Sequence, residues 1–129
     1  MKPLTLEWVE KAEEDWNILL KGYRARKNPA YNAACFHAQQ CAEKYIKGRL
    51  EEAGIAFRKT HDLIEVLNQA TAVEPGWNKL RKELRLLNKY SVTHRYPGGG
   101  SADKAEAKEA VTACRKVRRA VRLALGLPA

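Results

Sequence analysis

Long apolar runs are missing from this 129-residue sequence, and none approaches the ~20 residues that a helix needs to cross a bilayer. Residues 1–7 pass directly into charged sequence, so the start of the chain also lacks the apolar core of a signal peptide. A disordered tail is excluded, because hydrophobic residues make up 45% of the chain and charged residues 30%. We therefore expect one globular domain over residues 1–129, soluble and cytoplasmic, without a membrane partner.

Cysteine is scarce, and motifs for metals or phosphate loops are absent from the sequence. The three cysteines, Cys35, Cys41 and Cys114, are an odd number without CxxC spacing, which predicts reduced apolar fillers rather than disulfides or zinc ligands. The sequence has no HExxH, and the glycines at residues 98–100 have neither the preceding strand nor the following lysine of a phosphate loop. We expect no metal and no cofactor.

Acidic residues are few in the last part of the chain. The formal net charge is +9; residues 1–75 hold 11 basic and 11 acidic residues, whereas residues 76–129 hold 13 basic and 4 acidic residues. The positive excess therefore belongs entirely to the second segment. Such an asymmetry is typical of a protein with an anionic partner and also of a solvated basic surface, and composition does not decide between them.

Apolar residues recur at the spacing of α-helices, and no segment alternates as a strand does. The pattern predicts helices over about residues 5–26, 29–53, 61–70, 75–90 and 101–126. The N-caps expected for four of them are Thr5, Asn28, Thr60 and Ser101. Helices joined by short breaks pack antiparallel, so we expect an all-α, antiparallel up-and-down helical bundle of about five helices.

The second predicted helix carries a polar stripe beside its apolar one. His37, Gln40, Lys44 and Lys47 repeat at 3-4-3 spacing, which places them along one side of a helix. Imidazole, amide and ammonium groups aligned in this way can hold a phosphate or the edge of a nucleotide. An ordinary polar flank with a hydrogen-bonded His37 is the alternative.

His61 begins the third predicted helix, directly after Thr60. The simplest interpretation is a first-turn helix residue, and a ligand-binding histidine is the alternative.

The segment of residues 89–97 places basic and aromatic side chains where the fourth helix ends. It contains Lys89, His94, Arg95 and Tyr96. An imidazole beside a guanidinium suits phosphodiester chemistry, because the histidine can move a proton while the arginine stabilises phosphoryl charge. Alternatively, His94 and Arg95 donate hydrogen bonds to the last carbonyl groups of the helix.

The last predicted helix is rich in arginine. Five of its basic residues fall within eight positions: Arg115, Lys116, Arg118, Arg119 and Arg122. Because arginine binds phosphate through two hydrogen bonds at once, this face is a candidate RNA-binding patch. No aromatic residue interleaves with it, however, and a solvated helix face explains the same charges.

Four stretches together resemble the HEPN domain family. They are AACFHAQQCAEKYIK at residues 33–47, Thr60-His61-Asp62-Leu63, Arg95-Tyr96-Pro97, and WVEKAEEDW at residues 8–16. The resemblance implies an antiparallel helical bundle, usually a homodimer whose last-helix regions and motif loops face each other across a cleft. It also implies a link to nucleotides or RNA and, in prokaryotes, a minimal nucleotidyltransferase as partner in a toxin–antitoxin-like pair.

The motif of the catalytic members of that family is only partly matched. Those members are metal-independent ribonucleases with an arginine, a polar residue, a few further residues and then a histidine. Here Lys89 stands at the arginine position, Tyr90 at the polar position and His94 at the histidine. Lysine does not replace an arginine that makes paired hydrogen bonds, so binding is favoured over catalysis.

The leading hypothesis is therefore a nucleotide- or RNA-binding module with a nucleotidyltransferase partner. Its ligand would contact His37, Lys44, Lys47, Lys89, His94, Arg95 and Tyr96. The alternative is a metal-independent ribonuclease in which His94 carries the proton and Arg95 or Lys89 stabilises charge. A third possibility is an inert adaptor that binds and restrains its partner.

Overall fold

The computed structural model describes residues 1–91 and 96–129. These residues form five α-helices and one 3-10 helix, with no β-strand in the described ranges, so the predicted all-α fold is confirmed. The 3-10 helix Pro75–Leu80 leads directly into the fourth α-helix. The α-helices are α1 (Pro3–Arg24), α2 (Tyr31–Glu52), α3 (Leu63–Ala70), α4 (Arg81–Asn88) and α5 (Lys104–Ala124).

Helix α2 is the centre of the bundle and contacts α1, α3, α4 and α5. Its most extensive contact is with α1, because both helices carry apolar residues every three or four positions. The helices approach closely at Gly48, where an added Cβ would lie 3.2 Å from the Cβ of Trp8. Most of the two predicted apolar stripes is buried: Val9, Ala12, Trp16 and Leu19 of α1, and Ala34, Ala38, Cys41 and Tyr45 of α2.

The starts of the first two helices differ from the prediction. Helix α1 begins at Pro3. Proline suits the first position of a helix because the N–H that it lacks would have no hydrogen-bond partner there. Thr5 is therefore not the N-cap; it is buried, and its hydroxyl donates to Glu52 Oε1 at 2.9 Å. Helix α2 begins at Tyr31 rather than Pro29, and Asn28, with a φ of 50°, belongs to the preceding turn.

Aspartates cap α3 and α5 instead of the predicted Thr60 and Ser101. Asp62 Oδ1 accepts from the Ile64 N–H at 2.9 Å at the start of α3. Asp103 Oδ1 accepts from the Glu106 N–H at 2.8 Å, and the Glu106 carboxylate accepts from the Asp103 N–H, which completes a capping box. In both places the aspartate is nearer to the first unpaired N–H groups than the predicted hydroxyl residue.

All three cysteines are buried and free of disulfide bonds, as predicted for apolar fillers. Burial raises the pKa of the Cys35 thiol to about 11, so this thiol stays protonated at neutral pH.

Within the described part of the chain, no helix is both long enough and apolar enough to cross a membrane.

Candidate functional site

Two members of the predicted polar stripe, His37 and Lys44, are directed at helix α1. His37 Nδ1 lies 2.6 Å from Asp15 Oδ1, and Lys44 Nζ lies 2.7 Å from Asp15 Oδ2. Asp15 is buried, whereas the side chains of His37 and Lys44 remain 24% and 25% exposed. A phosphate that binds these two residues must therefore compete with a carboxylate already in place.

Lys47 belongs to a second, more deeply buried group. Its side chain is only 7% exposed, and its ammonium donates to Glu43 Oε2 at 3.1 Å and to the Thr60 carbonyl at 2.9 Å. The ammonium also lies 5.9 Å from the ring centroid of Trp8 and 5.7 Å from that of Phe57. The structure therefore divides the predicted stripe into two groups, and Lys47 neutralises the buried Glu43 carboxylate.

Glu43 also holds His61, which comes from the turn before α3. His61 Nδ1 lies 2.9 Å from Glu43 Oε1, and the His61 side chain is 70% exposed. Gln39, which is fully buried, fixes the same turn by donating to the His61 carbonyl at 3.0 Å. A carboxylate that accepts from Nδ1–H leaves the basic lone pair on Nε2, so this arrangement presents an oriented imidazole at the surface.

The end of α4 is fastened to the same turn through Asn88. Asn88 Oδ1 accepts from the Leu63 N–H at 2.8 Å, and Asn88 Nδ2 donates to Asp62 Oδ1 at 2.9 Å. The hydrogen bond from Asn88 and that from the Ile64 N–H outweigh the opposing effect of burial and lower the pKa of Asp62. The two hydrogen bonds of Asn88 place Lys89, the next residue after α4, at the same edge of the bundle as His61.

The segment that follows α4 is described at both of its ends. Lys89 is exposed, with its ammonium 5.2 Å from the ring centroid of Tyr90. Tyr90 is buried, and its hydroxyl donates to Glu106 Oε2 of α5 at 3.4 Å. Tyr96 is 60% exposed. The predictions for His94 and Arg95 fall on residues outside the described ranges.

The arginine-rich face of α5 is largely occupied by contacts within the chain. Arg118 donates to both carboxylate oxygens of Glu13 at 2.8 Å, and Arg122 donates to the Tyr45 hydroxyl at 3.0 Å. The guanidinium carbons of Arg115 and Arg118 lie 5.5 and 5.0 Å from the ring centroid of Trp16. Three of the five residues of the predicted patch, Arg115, Arg118 and Arg122, therefore contact residues of α1.

The outer side of α4 carries three exposed cations. Lys82, Arg85 and Lys89 are exposed at 3-4 spacing and have no ion-pair partner among the described residues. We call these three residues the α4 strip. Beside it, a groove of about 410 Å³ between α4 and α5 has charges of both signs, from Lys108, Lys116, Glu83 and Glu109, and Lys116 donates to Glu83 at 3.4 Å.

The functional arrangement depends on residues that the sequence did not single out as partners: Asp15, Glu43 and Asn88. Asp15 had one signal, since it lies within an apolar stripe, between Ala12 and Trp16. The sequence also pointed to Glu43 as a partner of Lys47, because the two residues are one helical turn apart. In the described part of the chain, no three His, Cys, Asp or Glu side chains are grouped so as to hold a metal ion.

Comparison with known proteins gives one match. A family model described as HEPN domain matches residues 5–124 of the chain. No curated protein and no solved structure matches it.

Proposed function

This chain belongs to the HEPN domain family, and we propose that it is a nucleotide- or RNA-binding module. The family itself indicates a function related to nucleotides or RNA. The finer proposal is that single-stranded RNA binds along the α4 strip and across the edge formed by His61 and Lys89.

The α4 strip is the observation that supports this proposal best. Its three side chains are exposed and have no ion-pair partner within the described ranges, whereas Arg118 and Arg122 of α5 are engaged by Glu13. Cations without a partner in the protein can release counterions from an RNA backbone at little cost in lost ion pairs. In the sequence, the strip is followed closely by residues 92–95, which contain the two further candidate ligands His94 and Arg95.

The predicted α2 ligands have different places in this proposal. His37 and Lys44 are partly exposed and can contact a phosphate once they exchange Asp15 for it. Lys47 remains a predicted ligand, but its hydrogen bonds to Glu43 and the Thr60 carbonyl favour a supporting role, in which it holds the Glu43 carboxylate in place beneath His61.

Binding is tested by fluorescence anisotropy of a labelled single-stranded RNA at low salt, with Arg85→Glu and Lys11→Glu as a matched pair. Both variants reverse one exposed charge, but Lys11 lies on α1, and α1 makes no contact with α4 among the described residues. We expect Arg85→Glu to weaken binding about tenfold and Lys11→Glu to change it little. Equal effects of both variants, or no binding by the unaltered protein, contradict the proposal.

We further propose that the chain works as a homodimer with a minimal nucleotidyltransferase in a toxin–antitoxin-like pair. Light scattering of the purified protein tests the dimer, and a mass of one chain at micromolar concentration contradicts it. Co-purification with the nucleotidyltransferase encoded beside it tests the partner. An adaptor without a ligand would bind that enzyme but not RNA.

The Glu43–His61 pair favours a second candidate function, a metal-independent ribonuclease. In such a reaction an imidazole takes the proton of a ribose 2′-hydroxyl, whose oxygen attacks the adjacent phosphorus. The 5′-oxygen leaves and gains a proton, and Lys89 or Arg95 stabilises the phosphoryl charge. His94 is the predicted proton carrier, and His61 is a second imidazole oriented by a buried carboxylate.

RNA cleavage in EDTA separates the two candidates. If the protein is a ribonuclease, His94→Ala loses activity by about 100-fold or more, and His61→Ala is also impaired. Equal cleavage by His94→Ala and the unaltered protein, or no cleavage by either, removes His94 from a catalytic role.

A further inference from the structure

A second basic pocket lies at the end of the bundle where α1 turns into α2. Its volume is about 440 Å³, which is large enough for one nucleobase and its sugar. We call it the tyrosine pocket, and its lining residues are Tyr23, Arg24, Ala25, Arg26, Pro29, Tyr31 and Lys104.

Two tyrosines form an aromatic wall in this pocket. The ring centroids of Tyr23 and Tyr31 are 6.4 Å apart, with 56° between the ring planes, and both side chains are partly buried against the core. The connecting turn is held by a hydrogen bond from the Ala30 N–H to the Gly22 carbonyl at 3.0 Å. A Cβ at Gly22 would lie 3.0 Å from the Ala30 oxygen, so the two helix ends approach closely here. The rings are therefore positioned in advance of any ligand.

Three cations from two parts of the chain line the pocket together with the tyrosines. Arg24 is the last residue of α1, Arg26 lies in the turn that follows, and Lys104 is the first residue of α5; all three are exposed. None has an ion-pair partner among the described residues. The neighbouring Asp103 carboxylate is engaged by the N–H of Glu106. Stacking surfaces beside unpaired cations are the combination that binds single-stranded nucleic acid.

Two described residues that follow α4 are hydrogen-bonded to near neighbours in sequence of residues that line the tyrosine pocket. The Ala102 N–H donates to Asn32 Oδ1 at 2.6 Å, and Asn32 is next to Tyr31. The Tyr90 hydroxyl donates to Glu106 in the first turn of α5, which begins at Lys104. Tyr90 and Ala102 are therefore both held at the end of the bundle where the pocket lies.

We propose that the tyrosine pocket binds one unpaired base of a single-stranded RNA by stacking on Tyr31, while Arg24, Arg26 and Lys104 contact the flanking phosphates. This inference rests on the proposed RNA-binding function and adds the position of a base. An oligonucleotide is favoured over a free nucleotide because three cations, from the end of α1 and the start of α5, line the pocket and can contact more than one phosphate. Stacking is tolerant of sequence, so the pocket accepts any base.

The test compares Tyr31→Ala with Tyr31→Phe in anisotropy titrations of a labelled single-stranded RNA. We expect Tyr31→Ala to bind about tenfold more weakly and Tyr31→Phe to bind like the unaltered protein, because only the ring is needed for stacking. Because Tyr31→Ala can disturb folding, Arg26→Ala provides a second variant at an exposed position, with Lys11→Ala as its control. Arg26→Ala should weaken binding, and Lys11→Ala should not.

Photocrosslinking gives a direct readout of the stacked base. An oligonucleotide with 5-iodouridine should crosslink to Tyr31 or Tyr23, as mapped by mass spectrometry. One outcome separates the two proposals. If Arg85→Glu weakens RNA binding but Tyr31→Ala leaves the affinity unchanged and neither tyrosine crosslinks, RNA binding by the protein stands and base stacking in the tyrosine pocket is wrong. If the protein binds no RNA at low salt, both fail. If uridine monophosphate binds with the same affinity as the oligonucleotide, the proposed contacts to the flanking phosphates are wrong.

Discussion

Glu13 joins three helices through a single carboxylate. It accepts two hydrogen bonds from Arg118 of α5 and one from the Tyr45 hydroxyl of α2, and Arg122 lies 3.7 Å away. Partial burial raises the pKa of Glu13, but the hydrogen bonds from Arg118 and Tyr45 and the two guanidinium charges outweigh burial and lower it overall. The ionised carboxylate therefore stabilises the fold.

Replacement of this carboxylate should have an effect that depends on pH. Because the folded-state pKa is lowered, the stabilisation is complete above the ordinary carboxyl pKa of about 4.3 and is lost as the pH falls through the lowered folded value. We expect Glu13→Gln to reduce the free energy of unfolding by about 1–3 kcal/mol at neutral pH and by much less near pH 3. Urea unfolding at both pH values checks this.

Glu14→Gln is the control for that measurement, because Glu14 is exposed on the same turn of α1 and has no ion-pair partner in the described part of the chain. Its effect should be small at every pH. A Glu13→Gln difference that stays constant from neutral to acid pH would contradict the lowered pKa.

The pairs around Asp15 and Glu43 show where residue-level reasoning from sequence ends. The residues of the α2 stripe could be recognised from the sequence. Their common partner could not, because Asp15 lies 22 positions before His37 and 29 positions before Lys44. Their meeting depends on the register between α1 and α2, which spacing along one helix does not define.

At the scale of elements, α3 is held at its start by another helix. Asn88 supplies an acceptor to the Leu63 N–H and a donor to the Asp62 carboxylate. Both groups belong to the N-terminus of α3, where backbone N–H groups have no partner within the helix. Asn88 therefore joins the end of α4 to the start of α3; Lys89 follows it in sequence, and the turn that carries His61 lies across the hydrogen bonds.

Asn88→Ala should destabilise the protein by about 1 kcal/mol, the usual effect of losing a cap. The midpoint of urea unfolding is the measurement. Asn68→Ala is the matched control, since Asn68 is exposed within α3 and alanine favours a helix interior. If the two variants unfold at the same urea concentration, the hydrogen bonds of Asn88 do not stabilise the fold.

The helices themselves were predictable because each buried face repeats along its own sequence, as Val9, Ala12, Trp16 and Leu19 do. The helix caps were harder to predict. Thr60 and Asp62 are both suitable N-cap residues, and only the path of the chain decides which one accepts from the first N–H groups of α3. The fourth predicted helix was one element in sequence but begins as a 3-10 helix at Pro75.

At the scale of the whole molecule, the fold decides which cations are free. The sequence places the excess of +9 in residues 76–129 but does not separate its helices. In the structure, Arg118 and Arg122 pair with Glu13, and Lys116 lies 3.4 Å from Glu83. The exposed cations without an ion-pair partner in the described part of the chain include the α4 strip and the three cations that line the tyrosine pocket.

The tyrosine pocket is a property that only the complete fold reveals. Tyr31 and Lys104 are far apart in sequence, and the α5 arginines had no aromatic neighbour along the chain. Folding brings Trp16 to Arg115 and Arg118, and it brings the two tyrosines to a different set of cations.

The central claim is that the α4 strip provides contacts to RNA phosphates, and the salt dependence of binding tests it most directly. For single strands, each lost contact makes the slope of log affinity against log salt shallower by about 0.7. We predict a steep slope for the unaltered protein and a slope shallower by about 2 when Lys82, Arg85 and Lys89 are all replaced by glutamine. Parallel slopes for the two proteins would contradict the claim.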